Sequence, residues 1–212
     1  MPITYNSRKI DPAKPVVALT FDDGPSIYTS QILDVLQQTG GRVSFFVTGS
    51  KVHEHKNKIL RAMYMDCEII CHAWDHPDLT KISKKAIQKQ LYDAIAAIAE
   101  VTGKVSLIFR PPYGHTDKNV EKVARKLGLA MVNWSVDPFD WKTLDAKKVY
   151  NDIANEVKSG DIVLCHDIYE STAEAMSRLI PDLTAQGCQL VTVSELLYHK
   201  YGAIEPGRLY LS

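Results

Sequence analysis

Val16-Val17-Ala18-Leu19-Thr20-Phe21-Asp22-Asp23-Gly24-Pro25-Ser26 begins as an apolar run and ends in a turn. Val16 to Leu19, with Pro15 before it and Gly24-Pro25 after it, reads as a buried strand. Asp22 and Asp23 therefore sit where a strand ends and a turn begins. Successive Cβ atoms of a strand point to opposite sides, so the two carboxylates diverge. One can face a metal ion while the other faces the water held there. A solvated Asp-Asp-Gly turn is the plainer meaning of the tripeptide by itself, and the rest of the chain decides between the two.

Outward from this stretch, strands and helices alternate. Val16–Phe21 is followed by a helix over Ile27–Gln38, with Ile32, Leu33, Val35 and Leu36 at helical spacing and Gly40-Gly41 ending it. Val43–Val47, β-branched and aromatic, reads as a strand. Then come a helix over Lys51–Met65 and a strand over Cys67–Cys71. A long helix over Ser83–Val101 opens on Ser83 as N-cap and closes at Gly103. Strands are expected at Val105–Phe109, Leu129–Trp134, Ile162–Cys165 and Gln189–Val193. Helices are expected at Asp117–Leu127, at Asp145–Lys158, at Ser171–Gln186 with an interruption at Pro181, and at Ser194–His199. About seven βα units with short connections predict a parallel sheet covered by helices. A distorted (β/α) barrel with about seven parallel strands and an open doubly wound sheet both fit. In either, functional groups gather at the C-terminal ends of the strands. The first 14 residues carry no pattern and are expected to form a lead-in; residues 15–212 read as one domain without repeats or linkers.

The totals narrow the classes. The chain has 212 residues, 45% of them apolar, enough for one sizeable core. Lys plus Arg and Asp plus Glu number 25 each, so formal charge is zero and no basic stripe points to nucleic acid. No apolar run is long enough to span a membrane. Met1-Pro2-Ile3-Thr4-Tyr5 lacks the basic start and apolar centre of a signal peptide. The expectation is either a cytoplasmic protein or one whose leader and anchor have been removed. Four cysteines (Cys67, Cys71, Cys165 and Cys188) are too few for a disulfide scaffold, and no C-x-x-C pair offers a thiolate metal site. They read as buried, reduced, small hydrophobes.

The unusual polar residues fall at strand ends. Asp22 and Asp23 follow the first strand, and His72 and His76 the third. Arg110-Pro111-Pro112-Tyr113-Gly114 follows the fourth, Asp137, Asp140 and Trp141 the fifth, and His166-Asp167 the sixth. Two histidines four apart share one face of a helical turn, and with a carboxylate they make a three-ligand shell that leaves room for water. Arg110, stiffened by two prolines, suits a guanidinium aimed at a carboxylate. His166, with a reference pKa near neutrality, suits a general acid. Trp74, Trp134 and Trp141 lie near these loops, where aromatic faces suit sugar rings. His53 and His55 read as solvated.

These residues resemble the NodB-type polysaccharide deacetylases, carbohydrate esterase family 4, from about Val16 to Leu197. The five motifs of that family occur in order: Thr20 to Ser26, His72-Ala73-Trp74-Asp75-His76, Arg110 to Gly114, Asp137-Pro138-Phe139-Asp140-Trp141, and Leu164-Cys165-His166-Asp167. The resemblance implies a distorted (β/α) barrel and metal-dependent removal of acetyl groups from sugars. It makes Asp23, His72 and His76 the metal ligands, Asp22 the general base, His166 the general acid and Arg110 the residue that holds Asp22. Asp140 is the first choice to tune His166, with Asp137 as the alternative or as a partner of Arg110. The Tyr113 backbone N–H would hold the oxyanion, and Leu164 and Trp141 would line the acetyl pocket. Zinc is the metal its ligand types favour, and cobalt or nickel also fit. The implied substrates are glycans containing N-acetylglucosamine, in peptidoglycan, chitin or their oligomers. O-acetylated xylan is the alternative, and a non-catalytic glycan-binding domain a third reading that the complete set of five acid–base and metal positions opposes. The substrate class implies a secreted or cell-envelope location, and a monomer is expected. Two departures stand out. Ala73 replaces the Ser or Thr that steadies the second-motif loop in the family, which puts loop rigidity in question. Cys71 stands beside His72, where oxidation sensitivity is expected.

Overall fold

Alternation along the first strand sets the architecture. Val17, Leu19 and Phe21 belong to one buried apolar cluster and Val16 and Ala18 to another. The first cluster is shared with helix residues such as Ile32, Leu36, Ile87, Leu91 and Ile153 and forms the layer between sheet and helices. The second holds Phe46, Ile70, Ile108, Ala130, Val132 and Ile162 and fills the inside of the curl. A strand buried on both faces reads as a continuous apolar run, as Val16–Leu19 does. Period two then puts Thr20 and Asp22 on the inner face.

The computed structural model describes residues 10–211. Of the expected lead-in, residues 1–9 lie outside the described residues; Ile10 packs against the inner cluster. The elements run β1 (Val16–Asp22), α1 (Thr29–Thr39), β2 (Ser44–Val47), α2 (Lys56–Tyr64), β3 (Glu68–Cys71), α3 (Lys84–Thr102), β4 (Ile108–Phe109), α4 (Lys118–Leu127), β5 (Ala130–Val132), α5 (Asp140–Thr143), α6 (Ala146–Glu156), β6 (Ile162–His166), α7 (Glu170–Ala185), β7 (Gln189–Leu190), α8 (Val193–Tyr201) and β8 (Leu209–Tyr210).

Every strand pairing is parallel. Strand order is β6-β1-β2-β3-β4-β5-β8, with β7 pairing β1 off this path. Beyond β5, Val136 bridges Val163 of β6, so the two ends of the sheet approach each other. Strands β1 to β5 lie side by side in chain order. A doubly wound sheet would reverse direction at a switch point, so the fold is the distorted (β/α) barrel.

The differences from the sequence expectation are local. The expected helix from Lys51 begins only at Lys56, after a short turn at Gly49–Lys51. The β4 strand is two residues long, since Val105 and Leu107 stay exposed. Helix α7 runs through Pro181 without interruption; the carbonyl that the missing N–H leaves unpaired belongs to exposed Ser177. The β7 strand stops at Leu190 because Thr192 and Glu195 form a capping box that opens α8. Strand β8, two residues after Pro206-Gly207, was not expected: it is too short for any periodic signal.

Candidate active site

Asp22 ends β1 on the inner face and Asp23 begins the turn with φ 69°, a left-handed conformation that costs a non-glycine residue about 1–3 kcal/mol. The turn is clamped from beneath. Asp167 accepts from the Thr29 hydroxyl, and its carbonyl accepts from the Ser26 hydroxyl. A Cβ on Gly24 would lie 2.1 Å from Asp167 Oδ1, so glycine is required there by space. Lys51 Nζ donates to the Asp23 carbonyl at 2.8 Å.

Asp22 is 2% exposed and Arg110 is fully buried. Arg110 Nη1 donates to Asp22 Oδ1 at 2.6 Å and to Thr20 Oγ1 at 2.8 Å. Its Nε donates to the Val132 carbonyl and its Nη2 to the Asn133 carbonyl. The guanidinium lies 3.9 Å from the Phe46 ring centroid. Burial raises the Asp22 pKa, opposed by the charge and hydrogen bond of Arg110 and by His166. The alternative partner for Arg110 does not occur: the Asp137 carboxylate instead accepts the Phe139 N–H at 2.8 Å. Asp137 is half-buried, and that burial raises its pKa.

His72 follows β3, and its Nδ1 donates to the Arg110 carbonyl at 2.8 Å. That bond fixes the tautomer and leaves the Nε2 lone pair free to ligate. Burial holds His72 neutral, with its pKa lowered to about 3. Its Nε2 lies 3.5 Å from Asp23 Oδ1, and His76 Nε2 lies 3.3 Å from the same oxygen. The spacing of four does not arise from a helical turn. Residues 72–76 form a loop in which Ala73 (φ 62°) and His76 (φ 63°) are left-handed, and this double reversal brings the second imidazole back to the first. The Ala73 and Trp74 carbonyls accept from the Gly49 and Ser50 N–H groups, both at 2.9 Å.

One ligand atom from each of Asp23, His72 and His76 lies within 4.8 Å of the others. Asp23 Oδ1 is buried and has no hydrogen-bond partner. A buried carboxylate oxygen with nothing to accept from costs free energy unless a cation meets it. One carboxylate with two imidazoles suits zinc and related divalent ions, so the residues fit a metal.

On the strand beside β1, in register with Asp22, His166 ends β6. Asp140, fully buried at the start of α5, accepts from His166 Nδ1 at 2.8 Å. Its second oxygen accepts the His166 backbone N–H and the Thr172 hydroxyl, each at 2.7 Å. Burial opposes charge on His166, but the hydrogen bond and charge of Asp140, with Asp22 and Asp23 behind, outweigh it and raise its pKa to about 9. Asp22, Asp23, His72, His76, Asp137 and His166 line one cleft of about 440 Å³, with Tyr113, Trp141 and Leu164 on its walls. Trp134 and Tyr169 complete it. Tyr169 and Thr172 escaped the sequence reading; their only signal was position, three and six residues after His166. The cysteines are free. Cys71 is fully buried in the outer cluster and burial pushes its thiol up to about 12. A thiol so rarely ionised is not the oxidation-sensitive group expected beside His72.

Fold and site together define a (β/α) barrel with a candidate metal centre at the C-terminal ends of its strands, in one cleft with an imidazole–carboxylate pair. The sequence profile described as polysaccharide deacetylase matches residues 9–132. The peptidoglycan-N-acetylmuramic acid deacetylase PdaC of Bacillus subtilis (strain 168) is 39% identical over 188 residues, 88% of this chain and 40% of that protein. Its solved structure covers 91% of this chain and 95% of its own, with a TM-score of 0.87 and 38% identity. The peptidoglycan-N-acetylglucosamine deacetylase PgdA of Listeria monocytogenes serotype 1/2a (strain 10403S) is 37% identical over 185 residues, 87% of this chain and 39% of that protein. A family 4 acetyl xylan esterase from Clostridium thermocellum, solved with a cobalt ion, has a TM-score of 0.86 and 31% identity, covering 93% of this chain and 98% of that one. This chain belongs to the polysaccharide deacetylase family, the NodB-type enzymes of carbohydrate esterase family 4. It spans about two fifths of the length of the two peptidoglycan deacetylases.

Proposed function

We propose that residues 15–212 form a catalytic domain that removes N-acetyl groups from N-acetylglucosamine-containing glycans, peptidoglycan first among them. The observation that carries this reading is the gathering of two machineries in one cleft. One is Asp23, His72 and His76, with ligand atoms within 4.8 Å of one another. The other is the His166–Asp140 pair, joined at 2.8 Å.

Asp23, His72 and His76 would hold one divalent ion, zinc by ligand type, with cobalt or nickel as substitutes. Such an ion supplies Lewis acidity, and a water beside it ionises near pH 7 rather than 15.7. Asp22, oriented by Arg110, takes the proton of the attacking water. The Tyr113 N–H donates to the developing oxyanion, a contact worth about 3–4 kcal/mol. His166 gives its proton to the departing nitrogen, which without it would leave as an amide anion. Asp140 keeps that imidazole charged and aimed. Leu164 and Trp141 form the walls that receive the acetyl methyl, and Asp137 faces the same space.

The peptidoglycan deacetylases among the relatives support the substrate, and with it a place at the cell envelope or outside the cell. No helix among the described residues is long and apolar enough to cross a membrane. The domain is proposed to act as a monomer with the glycan as its partner. The test is acetate release from peptidoglycan, chitin oligomers and acetylated xylan, with and without added zinc. Metal-dependent release from the first two supports the proposal; release from xylan alone would make the domain an O-acetyl esterase. Glycan binding without release in added metal would leave it a binding module.

A further inference from the structure

The loop that carries His72 and His76 is held from behind by one side chain that the proposed chemistry does not use. Gln90 lies in the first half of α3. Its Oε1 accepts the Trp74 N–H at 2.9 Å and the Asp75 N–H at 3.2 Å. Its Nε2 donates to Asp75 Oδ1 at 2.7 Å. One amide thus makes three hydrogen bonds to two consecutive loop residues, and those two residues lie between the histidines.

The loop needs such a hold. It contains two left-handed non-glycine residues, Ala73 and His76, within four positions, and such conformations persist only where the surroundings over-determine them. Ala73 brings no side-chain hydrogen bond of its own. The Gly49 and Ser50 N–H groups fix the carbonyls on one side of the loop, at Ala73 and Trp74. Gln90 fixes the N–H groups on the other side, at Trp74 and Asp75. The Trp74 peptide units are therefore held from both directions, and His76 follows directly on Asp75, the last residue of the second clamp.

We propose that Gln90 is the positioning residue of this loop. It sets the separation of the two imidazoles and so the affinity of the three-residue site for a divalent cation, without touching cation or substrate. The inference rests on the reading of Asp23, His72 and His76 as ligands.

The test is zinc affinity of the full chain, measured by competition with a chromogenic chelator, beside thermal stability of the metal-free protein. Gln90→Met keeps the length and helix preference and removes all three hydrogen bonds. Its zinc dissociation constant is expected to rise about 10–100-fold, the range seen when partners outside the ligand set are lost. Gln90→Glu keeps the acceptor but sets it against the Asp75 carboxylate. Gln90→Glu with Asp75→Asn swaps donor and acceptor and rebuilds all three bonds, so zinc affinity is expected to return to within about threefold of the parent. Unchanged zinc affinity in Gln90→Met overturns the inference. So does failure of the double variant to restore affinity while Gln90→Glu alone is weakened. If Gln90→Met does not fold, the single and double Glu variants decide the question by the same criterion. Should the parent chain bind no zinc, cobalt or nickel at all, the ligand reading itself fails, an outcome distinct from equal binding by parent and variant.

Discussion

Arg110 Nη1 lies 2.6 Å from Asp22 Oδ1, with the two side chains 0% and 4% exposed. The arginine is not a counter-ion alone. Its other hydrogen bonds go to Thr20, on the same inner face of β1 as Asp22, and to the carbonyls of Val132 and Asn133 at the end of β5. The guanidinium is thus fixed by two strands on opposite sides of the curl, and the carboxylate is fixed by the guanidinium. Asp22→Asn keeps the shape and removes the base. Turnover is expected to fall about 10²–10⁴-fold, while zinc affinity, read by calorimetry, stays within about threefold of the parent. A loss of zinc binding equal to the loss of turnover would place Asp22 among the ligands.

Arg110→Met tests the other half of the pair. It leaves Asp22 buried without its cation and strips four acceptors of their donor. Removing one partner of a buried ion pair typically costs about 3–5 kcal/mol, and that loss is expected in urea unfolding. Asp22→Asn leaves Arg110 buried without its anion and is also expected to destabilise, but by less than Arg110→Met, because the neutral amide still accepts from the guanidinium.

Much of this was legible in the sequence, and the reason is periodicity. Val16–Leu19 announces a strand buried on both faces, and glycines end helices where Gly40, Gly103 and Gly128 take left-handed caps. The residues proposed to bind metal or transfer protons are chemically distinctive and fall at strand ends. What was not legible lies in the backbone between them. Nothing in His72-Ala73-Trp74-Asp75-His76 says that two left-handed residues replace a helical turn. Gln90 and Thr172 are ordinary helix residues, at positions where no local pattern marks them. They matter because the fold brings α3 behind one loop and α7 beside Asp140. The choice between Asp137 and Asp140 as partner of His166 likewise needed coordinates, since both follow β5 and only Asp140 reaches the imidazole.

Asp23 Oδ1, buried and unpaired, predicts where metal affinity resides. Asp23→Asn is expected to weaken zinc binding by more than the 10–100-fold of an outer partner, and His76→Ala by a similar amount. Calorimetric titration of the metal-stripped chain checks both. Chelation is expected to abolish acetate release from the parent, and added zinc or cobalt to restore it. Activity that persists in the chelated protein would remove the metal from the mechanism.

His166 is expected to set the pH dependence. Its ordinary value of 6.5 is raised to about 9 in the folded protein, so the charged imidazole is favoured by folding. The stability this contributes is complete below about pH 6.5, where the unfolded chain is also protonated, and is lost as pH rises through 9. The proposed mechanism requires the same proton, so the alkaline limb of the rate profile is expected near pH 9 or somewhat below, since a bound cation opposes the charge. Asp140→Asn removes the hydrogen-bonded negative charge and is expected to move that limb to lower pH, by one unit or more. A limb that stays in place would show that another group governs it.

Loss of His166 discriminates between the two acyl substrates. An amide nitrogen leaves only after protonation, because its anion is far too basic to depart from a tetrahedral carbon. An alkoxide is a weaker base and departs with less help. His166→Ala is therefore expected to lower acetate release from N-acetylglucosamine oligomers about 10²–10⁴-fold, and from O-acetylated xylan by a visibly smaller factor. Zinc affinity is expected to stay near that of the parent, because the imidazole is outside the ligand set and its Nδ1 is already committed to Asp140. Equal losses on amide and ester would mean that His166 acts before the leaving group departs, as a stabiliser of the oxyanion, and the assignment of the proton donor would then pass to another group in the cleft. Asp137, half-buried with a pKa raised by that burial, is the candidate for that role, and Asp137→Asn in the His166→Ala background is the measurement that decides it.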